Sequence, residues 1–524
     1  MTRFFLVAAL ALTVLPAEAQ IRQRATVTAE TVRQAYAEPE LRASIRQHLR
    51  GSLPSAEAVA AHEIDPPHLR DAEGDEGPAV MGRRAPRVQR LSIATARSAL
   101  AGTEAVIAGV DLSASAPARL STERAPSRMT AQRANPQRSD TPARRTTPAR
   151  RTNPTVATVN PSVVGGDRDL LAEPPGPQLD VLSFAAGLHN ALKDDANGYV
   201  MRLAKDGQPI ATLQWNWARR PGDGSKGWNP QRRMHVASVS KLITAIAAVH
   251  LLHDKGISWD APIGPYLPAY WDRGANVNSI TFRELLTHRS GIEVPGSATN
   301  FSTMKAEIAA GVPASAGGQY ENTNFGLFRI LIPVINGDVD KNALSSLANS
   351  PLFSSIVDNV WDMMTVNAYQ AYTNQHVFVP SGVGGGPSLT HTSDDAIAYG
   401  NPWSSGWNSG DLRSVSGGAG WVMSADQVLS VMAHFRHTDA IVPRSVAFDA
   451  MEARLGLDVR SNTPAGTLYN KNGLWRDGSG RTEQSLAYFL PNGMELVVFA
   501  NSPITQDAVF FRSLVTNLYL ANLE

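Results

Sequence analysis

Ser238 and Lys241 are a pair of residues whose types and spacing suit acyl transfer. Residues three apart share one face of a helix, so Lys241 would lie beside the Ser238 hydroxyl. A serine hydroxyl is a poor nucleophile until a base accepts its proton. A lysine that loses hydration in an apolar helix favours its neutral form and could be that base. The pair is therefore a candidate nucleophile and base.

The element that must position this pair is an apolar, Ala- and Ile-rich segment over 239–252, which stops at Gly256. It predicts a buried helix with Ser238 at its N-terminal edge, where the helix dipole favours a developing alkoxide. A serine that caps a core helix, followed by a lysine that extends to solvent, would give the same pattern. Ser302 and Lys305 repeat the spacing without an apolar segment after them, which we interpret as chance.

Two later segments supply further polar residues. Tyr320-Glu321-Asn322 begins another predicted helix, and Lys471-Asn472-Gly473 precedes the last predicted hairpin. With these segments the chain resembles the serine β-lactamase and penicillin-binding-protein superfamily, in its class C and esterase branch. Residues 285–292 and 417–426 are similar to two more segments of that branch, and all five follow in the family order over roughly residues 180–524.

The resemblance implies four catalytic residues. Ser238 would attack a carbonyl carbon, and Lys241 and Tyr320 would carry its proton, with Tyr320 the stronger base candidate. Lys471 would add positive charge beside them. The reaction would use no cofactor, and the sequence indicates no metal site, since His62-Glu63 lacks the second histidine of a zinc motif.

The resemblance also implies the substrate-binding residues. Asn322 would hold Lys241 and the substrate amide or ester. Gly473 would allow a close backbone approach, and the N–H groups of Ser238 and Leu474 would form an oxyanion hole. Asn472 stands where penicillin-recognising members have threonine. This difference favours an ester or a D-amino-acid amide over a β-lactam as the substrate.

Three other residues allow more than one interpretation. His288 could suggest a Ser-His-Asp triad, but the resemblance makes it a structural support for the turn at Gly291, and the chain has no Gly-x-Ser-x-Gly segment. Glu321 replaces a small residue, which implies an acidic rim or no effect. Trp475 follows the predicted oxyanion loop and would line an acyl pocket or pack in the core.

The predicted fold is α+β and β-lactamase/transpeptidase-like. Residues 199–204 and 209–217 read as strands around Asp206-Gly207, and residues 484–490 and 494–500 as strands around Pro491-Asn492-Gly493. Helices are predicted over 180–194 and 506–522. We expect an antiparallel sheet built from both chain ends, flanked by helices, with a mostly helical inserted subdomain in a domain over 177–524.

The first part of the chain differs in composition. Residues 1–19 resemble a bacterial signal peptide that ends in Ala17-Glu18-Ala19. The sequence has no apolar segment long enough to predict a transmembrane span. Residues 20–176 are rich in Pro, Arg, Thr and Ala and are predicted to be largely disordered. The chain has no cysteine, and together with the signal peptide this predicts a periplasmic or secreted protein.

The predicted partners are small ester, amide or peptide substrates. Residues 81–151 carry 14 arginines, no lysine and four acidic residues, which suits a solvated linker or weak contact with anionic envelope polymers. No specific nucleic-acid binding is expected, since aromatic residues do not interleave the arginines. The function is predicted to be hydrolysis through an acyl-Ser238 intermediate. The alternatives are a D,D-carboxypeptidase or class C-like β-lactamase, and a catalytically silent envelope-binding protein.

Overall fold

A computed structural model describes residues 176–293, 299–314, 317–348, 354–401, 405–504 and 508–524. The predictions for the signal peptide, and those for the Arg-rich segment up to residue 175, lie outside these residues. Among the described helices, none combines the length and apolar character needed to cross a bilayer.

The described strands are β1 (Gly198–Lys205), β2 (Gln208–Arg219), β3 (Lys226–Gly227), β4 (Met234–His235), β5 (Val422–Met423), β6 (Val459–Thr463), β7 (Gly466–Arg476), β8 (Thr482–Leu490) and β9 (Met494–Ala500). Seven of them form an antiparallel sheet in the order β3-β2-β1-β9-β8-β7-β6. The short strands β4 and β5 form a separate pair. Strands from the two ends of the domain meet where β1 pairs with β9. The predicted sheet is therefore confirmed.

Both predicted hairpins are present. Asp206 and Gly207 join β1 to β2 with φ values of 49° and 75°, and in the three-residue turn of Pro491, Asn492 and Gly493 between β8 and β9 the last two residues have φ values of 59° and 70°. Two successive residues with positive φ twist a short turn in the sense that antiparallel strands require. Glycine adopts this conformation freely, and asparagine and aspartate adopt it more readily than other residues, so the residue types at both turns predict the hairpins.

The two faces of the sheet carry different layers. The helices are α1 (Val181–Leu192), α2 (Ser240–Asp254), α3 (Phe282–Leu286), α4 (Phe301–Ala310), α5 (Asn322–Gly326), α6 (Phe328–Asn336), α7 (Ser345–Ala348), α8 (Ser354–Thr373), α9 (Ala425–His437), α10 (Arg444–Glu452) and α11 (Ala508–Ala521). Leu486 and Val498 pack with α1 and α11. Their neighbours Ala487 and Val497 pack on the other face with the helices that lie between β3 and β6 in the sequence. This alternation along each strand buries both faces.

Helix α2 lies inside the helical layer, as the apolar segment predicts. Its first ten residues, Ser240 to Val249, are all buried, and Leu251 and Leu252 are buried with them. A helix that is apolar all round must be enclosed by other elements. The surrounding elements therefore give the residues in the first turn of α2 a fixed position.

Candidate active site

Ser238 lies in a 3-10 turn, Ala237–Val239, immediately before α2. Ala237 has a φ of 45°, a left-handed conformation that a residue with a Cβ rarely adopts and that turns the chain sharply at Ser238. The side chain of Lys241, in the first turn of α2, is fully buried. Its Nζ lies 3.0 Å from Ser238 Oγ. The structure thus brings the first predicted pair into direct contact.

Lys241 is fixed by acceptors from three parts of the chain. Besides Ser238, its Nζ donates to Oδ1 of Asn322 at the start of α5, and to the carbonyl oxygen of Gly418, 2.8 Å away. An ammonium group has three hydrogens to donate, so these acceptors fix its direction toward Ser238. Asn322 therefore holds Lys241, as the sequence predicts.

Tyr320 approaches Ser238 from another side. Its hydroxyl donates to Ser238 Oγ over 2.8 Å. Two ammonium groups lie near the tyrosine ring, with Nζ of Lys241 at 4.9 Å and Nζ of Lys471 at 5.0 Å from the ring centroid. A negative charge that develops on the phenol oxygen would lie in their positive field. Ser238 Oγ therefore has two neighbouring groups that can take part in moving its proton.

Gly473 explains how β7 can pass close to the nucleophile. A Cβ at this position would lie 2.4 Å from the carbonyl oxygen of Val236, closer than real Cβ atoms come, and 3.0 Å from Ser238 N. The adjacent strand is tied to the same turn, since the hydroxyl of Ser485 donates to Val236 O over 2.6 Å. Only glycine fits here without displacing the turn that carries Ser238.

The backbone of β7 presents N–H groups toward the same edge. The N–H of Asn472 donates to Asp458 Oδ2 at 2.9 Å, on the side of β7 away from β8. Backbone N–H groups alternate between the two sides of a strand, so the N–H of Leu474 points to the side of Asn472. The predicted oxyanion hole requires a donor from this strand, so the N–H of Leu474 stays the predicted partner of the Ser238 N–H.

The side chains of Lys471 and Asn472 leave β7 on opposite faces. Lys471 stands opposite Ala487, which packs with the helical layer, and Asn472 stands opposite Leu486, which packs with the terminal helices. Asn472 is buried, and its Oδ1 has no hydrogen-bond partner among the described residues. A substrate contact through this side chain stays a prediction.

Lys471 has an acidic partner that sequence analysis missed. Its Nζ lies 2.5 Å from Oδ1 of Asp458, and the exposed fractions of the two side chains are 1% and 14%. Asp458 precedes β6, so only the register of β6 on β7 brings it to Lys471. No local pattern in the sequence could have indicated this pair.

His288 contacts Tyr320 as well as belonging to the turn at Gly291 that it was predicted to support. The two rings stack with 4.2 Å between their centroids. Nδ1 of His288 accepts the N–H of Glu321 at 3.2 Å. Burial, together with the positive charges of Lys471 and Lys241, holds the pKa of His288 well below its usual value. His288 is therefore a neutral support for Tyr320.

Sequence analysis also missed a buried hydrogen-bond network around His235. Nδ1 of His235, in β4, bonds Glu483 Oε2 at 3.2 Å, and Nε2 accepts the N–H of Gly420 at 3.1 Å. Both side chains are fully buried. Burial, and then the charge of Lys241, lowers the pKa of His235 to about 3, whereas burial raises the pKa of Glu483 to about 7. The network thus fixes the Gly-rich segment that contains Gly418 and Gly420, and the carbonyl oxygen of Gly418 accepts a hydrogen bond from Lys241.

Three secondary predictions can be compared with the structure. Glu321 is buried with 5% of its surface exposed, so the acidic rim is wrong: this residue precedes α5 inside the domain. Trp475 is buried and packs edge-on against His235, in the core. At the second Ser-x-x-Lys, Lys305 pairs with Asp358 and Ser302 bonds Asn300, so this pair has other partners.

Comparisons with known proteins concern the family and the fold of this chain. The esterase/beta-lactamase LipL of Mycobacterium tuberculosis is 31% identical over 138 residues, which are 25% of this chain and 31% of LipL. The chain thus spans about a third of the length of that curated relative. The octameric penicillin-binding protein homologue from Pyrococcus abyssi has a TM-score of 0.50 at 15% identity, over 66% of this chain and 78% of that one. This likeness concerns the fold.

A beta-lactamase/D-alanine carboxypeptidase from Pseudomonas syringae has a TM-score of 0.48 at 15% identity, over 64% of this chain and 96% of that one. The family described as Beta-lactamase matches residues 184–515, which is well over half of the 524 residues and includes every residue of the site above. The chain therefore belongs to the beta-lactamase family, within the superfamily of serine β-lactamases and penicillin-binding proteins that its motifs resemble.

Proposed function

We propose that this chain is a serine hydrolase that cleaves an ester or amide bond through an acyl-Ser238 intermediate. One observation carries the proposal: Ser238 Oγ receives both Lys241 Nζ at 3.0 Å and the Tyr320 hydroxyl at 2.8 Å. A nucleophile with two proton-carrying neighbours, on a strained turn before a buried helix, is the arrangement that covalent acyl transfer needs.

Acylation begins when Ser238 Oγ bonds the substrate carbonyl carbon. Once the Tyr320 hydroxyl has lost its own proton to solvent, the phenolate, stabilised by the positive field of Lys241 and Lys471, accepts the Ser238 proton and then passes it to the oxygen or nitrogen of the leaving group. The bond between the carbonyl carbon and that atom breaks. The N–H groups of Ser238 and Leu474 stabilise the oxyanion between these steps, and loss of one such donor typically slows a reaction about 100- to 1000-fold.

Deacylation reverses the roles. Water enters, gives one proton to Tyr320 and bonds the acyl carbon of the ester on Ser238. The carbon–Oγ bond then breaks and the proton returns to Ser238, which restores the enzyme and releases a carboxylic acid. Every proton in this cycle is carried by side chains of the chain itself, so the proposed reaction needs no cofactor.

The substrate is proposed to be a carboxylic ester or the amide of a D-amino acid or related compound, in preference to a β-lactam. Asn472 in place of threonine supports this choice. The name of the relative LipL joins esterase and beta-lactamase activities, so both classes belong in the test. A periplasmic or secreted location, as the first 19 residues suggest, is part of the proposal.

Turnover assays of the full chain separate the alternatives. We expect hydrolysis of p-nitrophenyl butyrate, with slow or no turnover of nitrocefin and no lasting label from a fluorescent penicillin, and loss of ester turnover in Ser238→Ala. Rapid nitrocefin turnover would indicate a β-lactamase, and a stable penicillin label a D,D-carboxypeptidase. Wild-type protein that neither turns over an ester nor reacts with a fluorophosphonate probe would indicate a silent binding protein.

A further inference from the structure

Asp458 places a carboxylate of the chain itself on the cationic edge of the proposed site. Its Oδ1 lies 2.5 Å from Lys471 Nζ, and its Oδ2 accepts the N–H of Asn472 at 2.9 Å. One carboxylate thus bonds both an ammonium and a backbone donor. Bonds of this kind to a charged group are about twice as strong as those between neutral groups.

The position of Asp458 is fixed by its own backbone. Its N–H donates to the carbonyl oxygen of Asn470 at 2.9 Å, as the last rung of the pairing between β6 and β7. The preceding loop is packed on α2, where a Cβ at Gly456 would lie 2.4 Å from Cβ of Ala245. The N–H of Gly456 also donates to Leu286 O at 2.9 Å. These contacts hold the backbone of Asp458 beside Lys471.

The bonded groups, an ammonium and a backbone N–H at one edge of the site, are donors of the kind that bind a carboxylate. Lys471 Nζ lies 5.0 Å from the ring centroid of Tyr320, whose hydroxyl reaches Ser238. The N–H of Asn472 lies on the same edge of β7 as that of Leu474, two residues further on. A substrate anion beside the scissile bond would therefore have to displace Asp458 or be repelled by it.

We propose that Asp458 determines substrate specificity by occupying the anion position of the site, so that the enzyme selects esters or amides without a carboxylate beside the scissile bond. This inference rests on the proposed hydrolase function and deepens it. Like charges in neighbouring positions discriminate between ligands, because an anionic ligand that approaches Lys471 is also repelled by the carboxylate of Asp458. Asp458 therefore determines which substrates bind and does not accept a proton in the reaction.

Two esters with one acyl group test the proposal. The butyryl ester of 3-hydroxybenzoate carries a carboxylate on its leaving group, and the butyryl ester of methyl 3-hydroxybenzoate does not. Both form the same butyryl-Ser238, so a difference in kcat/KM reports acylation alone. We expect the wild-type chain to prefer the neutral ester about tenfold or more, and Asp458→Asn to lower that preference about ten- to hundredfold.

The control Asp260→Asn removes the same charge from an exposed ion pair with Arg283, and we expect it to leave the preference unchanged. Asp458→Glu keeps the charge and should keep the preference. A wild-type preference near one, or for the anionic ester, overturns the proposal even if Asp458→Asn fails to fold. An unchanged preference in folded Asp458→Asn also overturns it. If neither ester is cleaved and Ser238 takes no acyl group, the hydrolase function itself fails.

Discussion

The imidazole of His288 stacks on the phenol ring of Tyr320, with 4.2 Å between ring centroids and 27° between the ring planes. The histidine has a φ of 54°, and its Nδ1 accepts the N–H of Glu321 directly after Tyr320. The first contact acts on the residue that would carry the proton of Ser238, and the second fixes the backbone directly after it. The histidine therefore positions the base without contacting the nucleophile itself.

We expect His288→Ala to lower kcat/KM for a neutral ester about tenfold, because a stacked aromatic pair is worth on the order of 1 kcal/mol. His288→Phe keeps a ring at this position and should retain more activity. Steady-state kinetics on p-nitrophenyl butyrate measure both variants. A loss in His288→Phe as large as that in Ser238→Ala would instead make His288 the proton acceptor.

Tyr320→Phe removes the hydroxyl that reaches Ser238 and leaves the ring on His288. General acid–base groups typically contribute about 100- to 10,000-fold, so we expect kcat to fall by that order with little change in thermal stability. Single-turnover measurement of p-nitrophenol release isolates the acylation step. A variant that acylates at the wild-type rate would assign proton transfer to Lys241 alone.

The close approach of β7 to the nucleophile turn predicts the effect of Gly473→Ala. Its Cβ would meet Ser485 Oγ at 2.3 Å and Val236 O at 2.4 Å, so the strand must shift away from the oxyanion position. We expect kcat/KM to fall at least about 100-fold. Gly478→Ala is the matched control, since its Cβ would have no neighbour within 4 Å. Equal activity of the two variants would contradict the proposed oxyanion hole.

Glu483 predicts a pH dependence of stability. Burial raises its pKa from 4.5 to about 7, so the folded chain binds more protons than the unfolded chain between these values. Its contribution to stability is therefore complete below about pH 4.5 and is lost as the pH rises toward 7. Glu483→Gln keeps an acceptor for His235 without a charge. Its Tm relative to wild type should rise between pH 5 and 8, measured by thermal denaturation, and a constant difference would contradict this account.

The sequence allowed prediction of the features that depend on neighbouring residues. Asp206-Gly207 and Asn492-Gly493 specify their turns locally, and the apolar segment over 239–252 specifies a buried helix. Family motifs then placed Tyr320, Asn322 and Lys471 around Ser238. These predictions hold because each depends on a short segment or on an arrangement that the whole family shares.

The missed features depend on strand register and tertiary packing. Asp458 and Lys471 are 13 residues apart in the sequence, and they pair only because β6 pairs with β7 in one register. Glu483 meets His235 across 248 residues, where a glutamate in a buried strand has no local pattern to mark its partner. The side-chain orientation of Asn472 likewise follows from its place on β7. Composition and spacing do not contain these relationships.

The most direct test of the central claim is the mass of the peptide containing Ser238 after rapid mixing of the full chain with p-nitrophenyl butyrate and acid quench. The account predicts a butyryl group on Ser238 that forms with the burst of p-nitrophenol and disappears as substrate is exhausted, and no such group in Ser238→Ala. Ester turnover that persists in Ser238→Ala, or an acyl group on another residue during the burst, would contradict it.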